Sequence, residues 1–271
     1  MPTYYDEITP ELAEWALKQA VFWTATAPLV GKHVRPTMLG KRKLELTHWH
    51  VQINISPKGL PGSSFAILGP KKIAYIDYTG SAAETISHLY ENGRMTILFN
   101  SFTNSPRIMR LFCTGRVAEA SGEDRAEFEK LIGEMGMDVG KVHPGARAVL
   151  VMDVWKVQTS CGYGVPIAKV VDGEEGRVGV EFEDRETLGE WGRKLVEKGG
   201  KDEYQVTWNS KSHDGLMGLK AARRAGGERV LWWGNLMAWG RRMGQMVDAV
   251  GLGFVMGVGF TVGLGWGRAK G

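Results

Sequence analysis

The sequence predicts a mainly β (α+β) protein in which antiparallel strands form a closed or nearly closed barrel with short peripheral helices. Three observations support this fold class. Strand-like segments follow one another with few helices between them, Gly-, Pro- and Ser-containing turns separate them, and several segments alternate apolar and polar side chains. At 271 residues, 43% of them hydrophobic and 24% charged, the chain is long enough for one sizeable core with an appendage.

The first part of the chain is predicted to contain a helix and three strands. Thr9 suits the N-cap position, Pro10 suits the first helical position, and an apolar stripe continues to about Gln19. A polar and basic stretch at 31–47 has little periodicity and is predicted to be a long loop. The strands predicted around it lie at 21–27, 49–55 and 65–68, with a turn at 56–59.

Residues 73–117 are the most informative block, because they join a strand, a polar turn, a short helix and two further strands. The turn, Thr79-Gly80-Ser81, falls between an apolar strand and the helix. Free backbone N–H groups and hydroxyls converge at such a turn, where the helix dipole favours an anion. The elements predicted here are a strand at 72–78, a helix at about 82–91, and strands at 95–99 and 108–120.

The C-terminal half is predicted to complete the barrel and then to change character. An amphipathic helix at 123–135 is expected to pack across the barrel's end, followed by a last long strand at 148–159. A charged helix is expected at 188–198, and the polar segment 209–216 is expected at the surface. The predicted domains are a barrel at 1–170, an extension folding back on it at 171–224, and a hydrophobic tail at 225–271.

The tail contains an uncharged run of 18 residues at 249–266 with an approximate six-residue repeat. A helix of this length would be about 27 Å long, just short of the hydrocarbon thickness of a bilayer. Its spaced glycines suit packed membrane helices, although so many glycines also weaken a helix. Two interpretations stay open: a C-terminal membrane anchor, or a segment that folds on the barrel or pairs two subunits.

Composition limits which binding partners and which cellular compartment are expected. The net charge is +4, but basic and acidic residues alternate through most of the chain, so nucleic acid is not an expected partner. Cys113 and Cys161 lack CxxC spacing, and the first nine residues are polar and acidic rather than a secretory leader. We therefore expect a reduced, intracellular and cytoplasmic protein, membrane-associated if 249–266 is an anchor. No metal site is predicted.

Polar residues at predicted strand ends form candidate binding groups. An arginine fork can hold a phosphate or a carboxylate, a lysine adds a point charge, and the turn supplies hydroxyls and amides. Each residue also has an ordinary alternative as a solvated strand residue, a turn residue or a helix cap, so the prediction depends on their convergence. The candidates are Ser56, Lys58, Tyr78, Thr79, Gly80, Ser81, Arg94, Arg107 and Arg110.

The same block resembles the pyridoxamine 5'-phosphate oxidase family, the FMN-binding split barrels. The resemblance lies in the order of the elements: a strand, a YTG turn, a helix, ENG and an apolar strand, and then a strand that ends in GRV. The matching segments are Tyr78-Thr79-Gly80, Glu91-Asn92-Gly93-Arg94, Arg107-Ile108-Met109-Arg110 and Gly115-Arg116-Val117. Four other segments resemble those of a subgroup of microbial and fungal relatives of this family. They are 25–29, 54–59, 160–166 and 209–216.

This resemblance implies an antiparallel split β-barrel that forms a homodimer, with FMN in a groove at the subunit interface. It implies that Ser56 and Lys58 lie on the strand facing the flavin and that Thr79, Gly80 and Ser81 contact the phosphate. It also implies that Arg107 and Arg110 lie near the ring or the phosphate, and that Ser212 lies in a C-terminal segment returning toward the site.

The chain departs from the family pattern at one important place. Glu84-Thr85 stands where authentic oxidases carry an arginine-lysine pair that holds the FMN phosphate. A carboxylate repels a phosphate, so Glu84 is expected to point away or the phosphate is held by other groups. The substrate-binding ending of the authentic oxidases is also not evident, so oxidation of pyridoxine phosphate is not expected.

The sequence therefore predicts an FMN-dependent oxidoreductase that acts on a small molecule. No residue is singled out as a general base, because the flavin would supply the redox chemistry. The alternative is a non-catalytic split-barrel module that binds flavin or another ligand and is tethered to a membrane by its tail.

Overall fold

The computed structural model describes residues 2–29, 52–172, 178–212, 215–237 and 239–240. The chain divides into two compact units, Met1–Glu186 and Thr187–Gly271, and each is described by itself. The predicted division at residues 170 and 224 stays a prediction.

The first unit contains most of the strands predicted from the sequence. Its strands are β1 (Thr3–Tyr5), β2 (Val21–Thr26), β3 (Asn54–Gly59), β4 (Phe65–Gly69), β5 (Lys72–Tyr78), β6 (Arg94–Asn100), β7 (Ile108–Glu119), β8 (Ala146–Ser160), β9 (Ile167–Asp172) and β10 (Val178–Glu183). Its helices are α1 (Pro10–Leu17), α2 (Pro61–Ser64), α3 (Glu84–Asn92) and α4 (Arg125–Glu134). Thr9 caps α1 as predicted, since its hydroxyl accepts a hydrogen bond from the N–H of Leu12.

One antiparallel sheet forms the body of this unit. Its strands run in the order β3-β2-β6-β7-β8-β5-β4, with β1 added beside β8. Strands β2 and β4 lie far apart in this order, yet the rings of Phe22 and Phe65 are 5.1 Å apart. The sheet therefore curls until its two ends face each other. The predicted antiparallel split β-barrel with short peripheral helices is confirmed, and the gap between edge strands β3 and β4 is called the seam.

The curled sheet has two apolar layers. Alternating residues of β2, β5, β6, β7 and β8 fill the interior, where Phe22, Tyr75 and Phe99 are fully buried. On the outside, Phe128 and Ile132 of α4 cover the opposite faces of β5, β7 and β8. Strand β5 is thus buried on both sides over most of its length. The helix after β7 was expected to pack across the barrel's end, and it packs instead on the outer face of the sheet.

Strand β3 differs from its prediction. The sequence places a turn at 56–59, but the strand runs to Gly59 and pairs with β2 over its whole length. The interpretation of Pro57 as a turn residue was wrong, because a proline also fits an edge strand where its missing N–H faces away from the neighbouring strand. The predicted loop at 31–47 and the start of the predicted strand at 49–51 lie outside the described residues.

The sequence analysis also missed a two-stranded sheet after the barrel. Strands β9 and β10 pair over their whole length, and the N–H of Ala168 donates to the carbonyl of Phe102. The guanidinium of Arg185 donates to the carbonyls of Thr103, Asn104 and Val165, which fixes the chain after the hairpin.

The second unit is helical in its described part. It contains α5 (Thr187–Glu197), which was predicted, and α6 (Lys201–Asn209) and α7 (Lys220–Ala225), which were not. The side chain of Arg223 is buried and donates two hydrogen bonds to Glu228, at 2.6 and 2.7 Å. Among the described residues, no helix has the length and apolar character needed to cross a bilayer. The predicted anchor at 249–266 lies outside them.

Candidate functional site

A buried carboxylate held by two cations marks the seam. Asp77 is 1% exposed, and its oxygens accept from the Lys58 ammonium at 3.0 Å and from Nε of Arg147 at 2.7 Å. A carboxylate enters a protein interior only if its charge is compensated and its lone pairs are bonded, and these two partners meet both conditions. Lys58 and Arg147 remain about a quarter exposed, at 27% and 26%. We call these three residues the ionic cluster.

The strand registers explain why these residues meet. Lys58 is paired with Phe22, whose side chain fills the interior, so the lysine also points inward from β3. Strand β4 begins at Phe65 opposite Tyr75, and nothing of β4 lies beside Asp77. Among the described residues the seam is therefore open at this level, and Lys58 reaches across it.

The polar turn after β5 lies next to the ionic cluster. Arg147 donates from Nη2 to the carbonyl of Ala82 at 2.7 Å, which ties the guanidinium to the segment leading into α3. The N–H of Thr79 donates to the carbonyl of Gly145 at 2.7 Å, so this amide is occupied rather than free. Gly80 and Ser81 are exposed. The turn is thus anchored at its start and open to solvent at its middle.

Helix α3 begins without a side-chain cap. Its N-cap is Ala83, which makes no capping hydrogen bond, and the first amides of a helix have no partner within the helix. Glu84, the first helical residue, is exposed, where its carboxylate is favourable to the helix dipole. The expectation that Glu84 points away from the phosphate, or that other groups hold the phosphate, stays a prediction. Arg147 brings positive charge close to the same helix end.

Thr85, the second half of the departure from the family pattern, has a structural role. It is 6% exposed, and its hydroxyl accepts from Nδ2 of Asn54 at 2.9 Å. Asn54 also approaches the Thr26 hydroxyl at 3.4 Å, and that hydroxyl is 2.8 Å from Nδ1 of the buried His88. These four residues form a neutral network that joins the start of β3 to α3.

The remaining predicted residues of the first unit lie outside the ionic cluster. Ser56 lies on β3 between Asn54 and Lys58 and is half-buried. Arg94 begins β6 on the outer face, exposed, and donates to the side-chain oxygen of Asn92. The ring of Tyr78 packs edge-on against His143 at 5.9 Å.

Two of the predicted arginines have partners of their own. Arg107 is 3.4 Å from Glu11 and lies over the ring of Trp15, so α1 holds it. Arg110 points outward from β7 and donates to Oε1 of Gln158 at 3.1 Å. The structure brings Lys58 and the turn together but does not add these arginines to the ionic cluster, and their cofactor contacts stay predictions.

Ser212 belongs to the second compact unit. Its hydroxyl accepts from the N–H of Leu216 at 2.9 Å and closes a small turn there. Its role in cofactor binding stays a prediction.

The sequence analysis did not single out Asp77, Arg147 or His88 as residues of this region. One signal was available: Asp77 is a lone carboxylate inside the apolar strand IAYIDY, and a buried carboxylate needs cationic partners. No spacing rule identifies Arg147 as one of them, because it follows Asp77 by 70 positions. Only the pairing of β5 with β8 brings the two together.

Burial raises the pKa of two further ionisable groups in the barrel interior. The pKa of the Tyr75 hydroxyl is raised, first by burial and then by the charge of Asp77. Burial also raises the pKa of the Cys113 thiol, so this cysteine is a packing residue. Both groups therefore stay uncharged at neutral pH and belong to the core rather than to the site.

Fold and site together define a split β-barrel with a charged site at its open seam. The chain is 41% identical over 257 residues to the pyridoxamine 5'-phosphate oxidase family protein ustO of Aspergillus flavus, covering 94% of this chain and 93% of that protein. The chain therefore belongs to the pyridoxamine 5'-phosphate oxidase family, as the resemblance indicated. No protein-family model matches it.

Two solved structures show a distant likeness. HupZ of Group A Streptococcus is 19% identical, the match covers 55% of this chain and 91% of that chain, and the TM-score is 0.36. A protein of Clostridium acetobutylicum related to general stress protein 26, of the pyridoxinephosphate oxidase family, is 12% identical, with coverages of 64% and 92% and a TM-score of 0.33. The family assignment rests on the Aspergillus relative.

Proposed function

We propose that this protein is an FMN-dependent oxidoreductase that acts on a small molecule and holds the FMN phosphate at the seam. The observation that carries the proposal is the ionic cluster beside the uncapped start of α3. Its two cations share one carboxylate, which leaves an excess positive charge next to a helix end that favours anions.

The donor set suits a phosphate. Arg147 uses Nε and Nη2 for Asp77 and Ala82, and a guanidinium has five N–H donors, so donors remain for an anion. The first-turn amides of α3 and the exposed hydroxyl of Ser81 add neutral donors. When bound, FMN would supply the electron transfer, while these residues would hold and orient it.

Flavin binding can be tested directly. The purified protein is expected to show flavin absorbance or to take up FMN from solution. Arg147→Gln should weaken FMN binding by about tenfold, because a hydrogen bond to a charged group contributes about 1.5 kcal/mol. The affinity for riboflavin, which lacks the phosphate, should stay nearly unchanged. Arg116→Gln is the matched control, since Arg116 pairs with Glu127 at the surface. A colourless protein that takes up no FMN contradicts the proposal.

We further propose that two copies pair through the outer face that α4 leaves uncovered. Ile55 projects from β3 at 62% exposure, and Trp155 of β8 is 60% exposed beside Phe112, with their ring centroids 5.6 Å apart. Exposed apolar residues clustered on one sheet face are typical of an interaction surface. Because the side chain of Lys58 points inward from the same edge strand, pairing here would bring the second copy close to the seam.

Light scattering after size exclusion tests the pairing. The native chain is expected to elute as a dimer, and Ile55→Lys should shift it toward the monomer. Leu17→Lys, at the exposed end of α1, is a matched control and should stay dimeric. A native chain that is monomeric at micromolar concentration overturns the pairing.

A non-catalytic binding module is the second candidate. Two observations favour it: Asp77 already occupies both cations, and Glu84 stands at the start of α3. Such a module would bind a ligand but show no turnover. Turnover with NAD(P)H or oxygen that is lost in Arg110→Ala would exclude it.

A further inference from the structure

A cleft lies on the outer face of β5, on the side of the strand opposite the ionic cluster. It has a volume of about 390 Å³, within the range of small-molecule sites. Ile76 and Tyr78 face it, whereas Asp77 points to the barrel interior, because successive side chains of a strand point to opposite faces. The side chains that bear on a ligand are Ile76, Tyr78, Met137, Lys141, Val142 and His143.

One turn forms a wall of this cleft and is fastened to the end of β5. The N–H of Ala146 donates to the carbonyl of His143 at 2.9 Å, which closes a turn with Pro144 at its second position. The carbonyl of Gly145 in this turn accepts from the N–H of Thr79 at 2.7 Å. The turn that carries His143 is therefore fastened to the end of β5, next to Tyr78.

The hydrogen bonds of His143 determine which ring nitrogen can serve a ligand. The N–H of Gly145 donates to Nδ1 of His143 at 3.0 Å, so Nδ1 carries no hydrogen in this arrangement. A neutral imidazole then carries its hydrogen on Nε2, which is a donor. The rings of His143 and Tyr78 meet at 84°, so an aromatic surface lies beside that donor.

The two charged side chains of the cleft are Asp138 and Lys141, and Lys141 adds one more donor. Asp138 is occupied, since its Oδ1 accepts from the N–H of Gly140 at 2.9 Å. The Lys141 ammonium is 3.7 Å from the other oxygen of Asp138, and its side chain is 85% exposed, so it can turn toward a ligand. The floor is apolar, formed by Ile76, Met137 and Val142.

We propose that this cleft binds a small aromatic carboxylate, with its ring against Tyr78 and its carboxylate accepting from Nε2 of His143 and from Lys141. The apolar floor and the edge-to-face pair favour a flat ring, and the two donors favour an anionic acceptor. The site does not involve Asp77 or Arg147. It therefore stands whether or not FMN binds at the seam.

Three probes of similar size test the ligand class. Titrations of the full chain with benzoate, benzamide and cyclohexanecarboxylate can be followed through the ¹⁵N signals of the His143 ring. Benzoate is expected to bind in the millimolar range, as suits so small a ligand, and each of the other two should bind at least about fivefold more weakly. Absence of benzoate binding overturns the proposal. Equal binding of cyclohexanecarboxylate overturns the aromatic part, and equal binding of benzamide overturns the anionic part.

Substitutions test the role of His143. His143→Asn should reduce benzoate affinity by about tenfold because its amide does not reach the Nε2 position, and His143→Gln should restore most of it. Equal losses in the two variants contradict donation from Nε2. Thermal melting of both variants checks that the fold is kept.

Glycine and tyrosine variants provide matched pairs that keep the test decisive. A Cβ on Gly145 would lie 3.1 Å from Nδ1 of His143, whereas a Cβ on Gly164 would meet open space. Gly145→Ala should therefore weaken benzoate binding, and Gly164→Ala should not. Tyr78→Leu should weaken benzoate several-fold, and Tyr90→Leu, at another exposed tyrosine, should have no effect. The proposal fails if each pair gives equal affinities.

Discussion

Two polar clusters tie the edge strand β3 to the rest of the barrel, one at each end of the strand. At the start of β3, the neutral network of Asn54, Thr26, Thr85 and His88 is mostly buried and joined by internal hydrogen bonds. Toward its other end, the ionic cluster holds Lys58 and Arg147 on one carboxylate and leaves both partly exposed. The first arrangement has its donors satisfied within the protein, while the second keeps donors for a ligand.

The difference separates the end of β3 that stabilises the barrel from the end that, under the proposed function, binds an anion. A satisfied neutral network in a buried place rigidifies the structure but has little left to offer an anion. An excess of cations over carboxylates at an open seam gives up some stability and gains affinity for anions. The two clusters should therefore respond in opposite ways to substitution.

Among the substitutions that leave the chain folded, Asp77→Asn should have the largest effect. It removes the charge that holds Lys58 and Arg147, and we expect the free energy of unfolding to fall by about 2 kcal/mol, less than for a fully buried pair because both cations can turn to water. The same substitution frees both cations and should strengthen FMN binding several-fold. Urea unfolding and FMN titration measure the two effects, with exposed Asp153→Asn as the control. A variant that loses both stability and FMN affinity would contradict a phosphate role for these cations.

Thr26→Val should affect stability alone. It deprives Nδ1 of His88 and the amide of Asn54 of one partner, which should lower the free energy of unfolding by about 1–2 kcal/mol. FMN affinity should stay within about twofold, since the ionic cluster is untouched. If FMN binding falls with stability, the two clusters are coupled through β3.

Glu84→Lys should affect binding more than stability. Replacing an exposed carboxylate at the start of α3 by a cation should lower the free energy of unfolding by about 0.5 kcal/mol through the helix dipole. FMN affinity should rise by about threefold or more, because a repulsive charge becomes attractive. Thr85→Lys is the informative partner variant: it places a charge at a buried position and should unfold the chain. Unchanged FMN affinity in Glu84→Lys would mean that the phosphate lies away from α3.

An exposed pair on the other side of α3 should show the smallest effect. The hydroxyl of Tyr90 donates to Glu119 at 2.5 Å, and this hydrogen bond raises the pKa of Tyr90 to about 12. A pKa raised in the folded state gives stability that is complete below the ordinary value of 10 and is lost as pH rises toward 12. Tyr90→Phe should therefore flatten the pH dependence of the urea midpoint between those values. An unchanged slope would show that the bond does not persist in solution.

The sequence predicted most of the fold because periodicity and turn residues report on local structure. The bounds of β5 were predicted to the residue, and α1 and β2 ended only one or two residues earlier than expected. Strand β3 was misjudged because Pro57 and Gly59 have the composition of a turn, and only pairing with β2 makes this segment a strand. The β9–β10 hairpin has little alternation of buried and exposed residues and left no clear pattern to read.

The candidate site could be predicted in outline and not in its chemistry. Lys58 and the turn after β5 were among the predicted residues and lie near each other, whereas their contacts with a cofactor stay predictions. Asp77 and Arg147 were missed because their partnership depends on strand register, which no local pattern encodes. His143 was missed for the same reason: its turn has a role only because Thr79 holds it beside Tyr78.

Pro57 has a consequence for how the molecule avoids sticking to itself. An edge strand offers a row of free N–H and C=O groups that another chain can extend, and this is a common route to aggregation. A proline in a paired strand turns its nitrogen away from its neighbour, and here that side is the edge of β3 that no other described strand covers. The edge therefore lacks a donor near its middle, which hinders a foreign strand from adding in register. The seam can stay open for a ligand without becoming a template for fibrils.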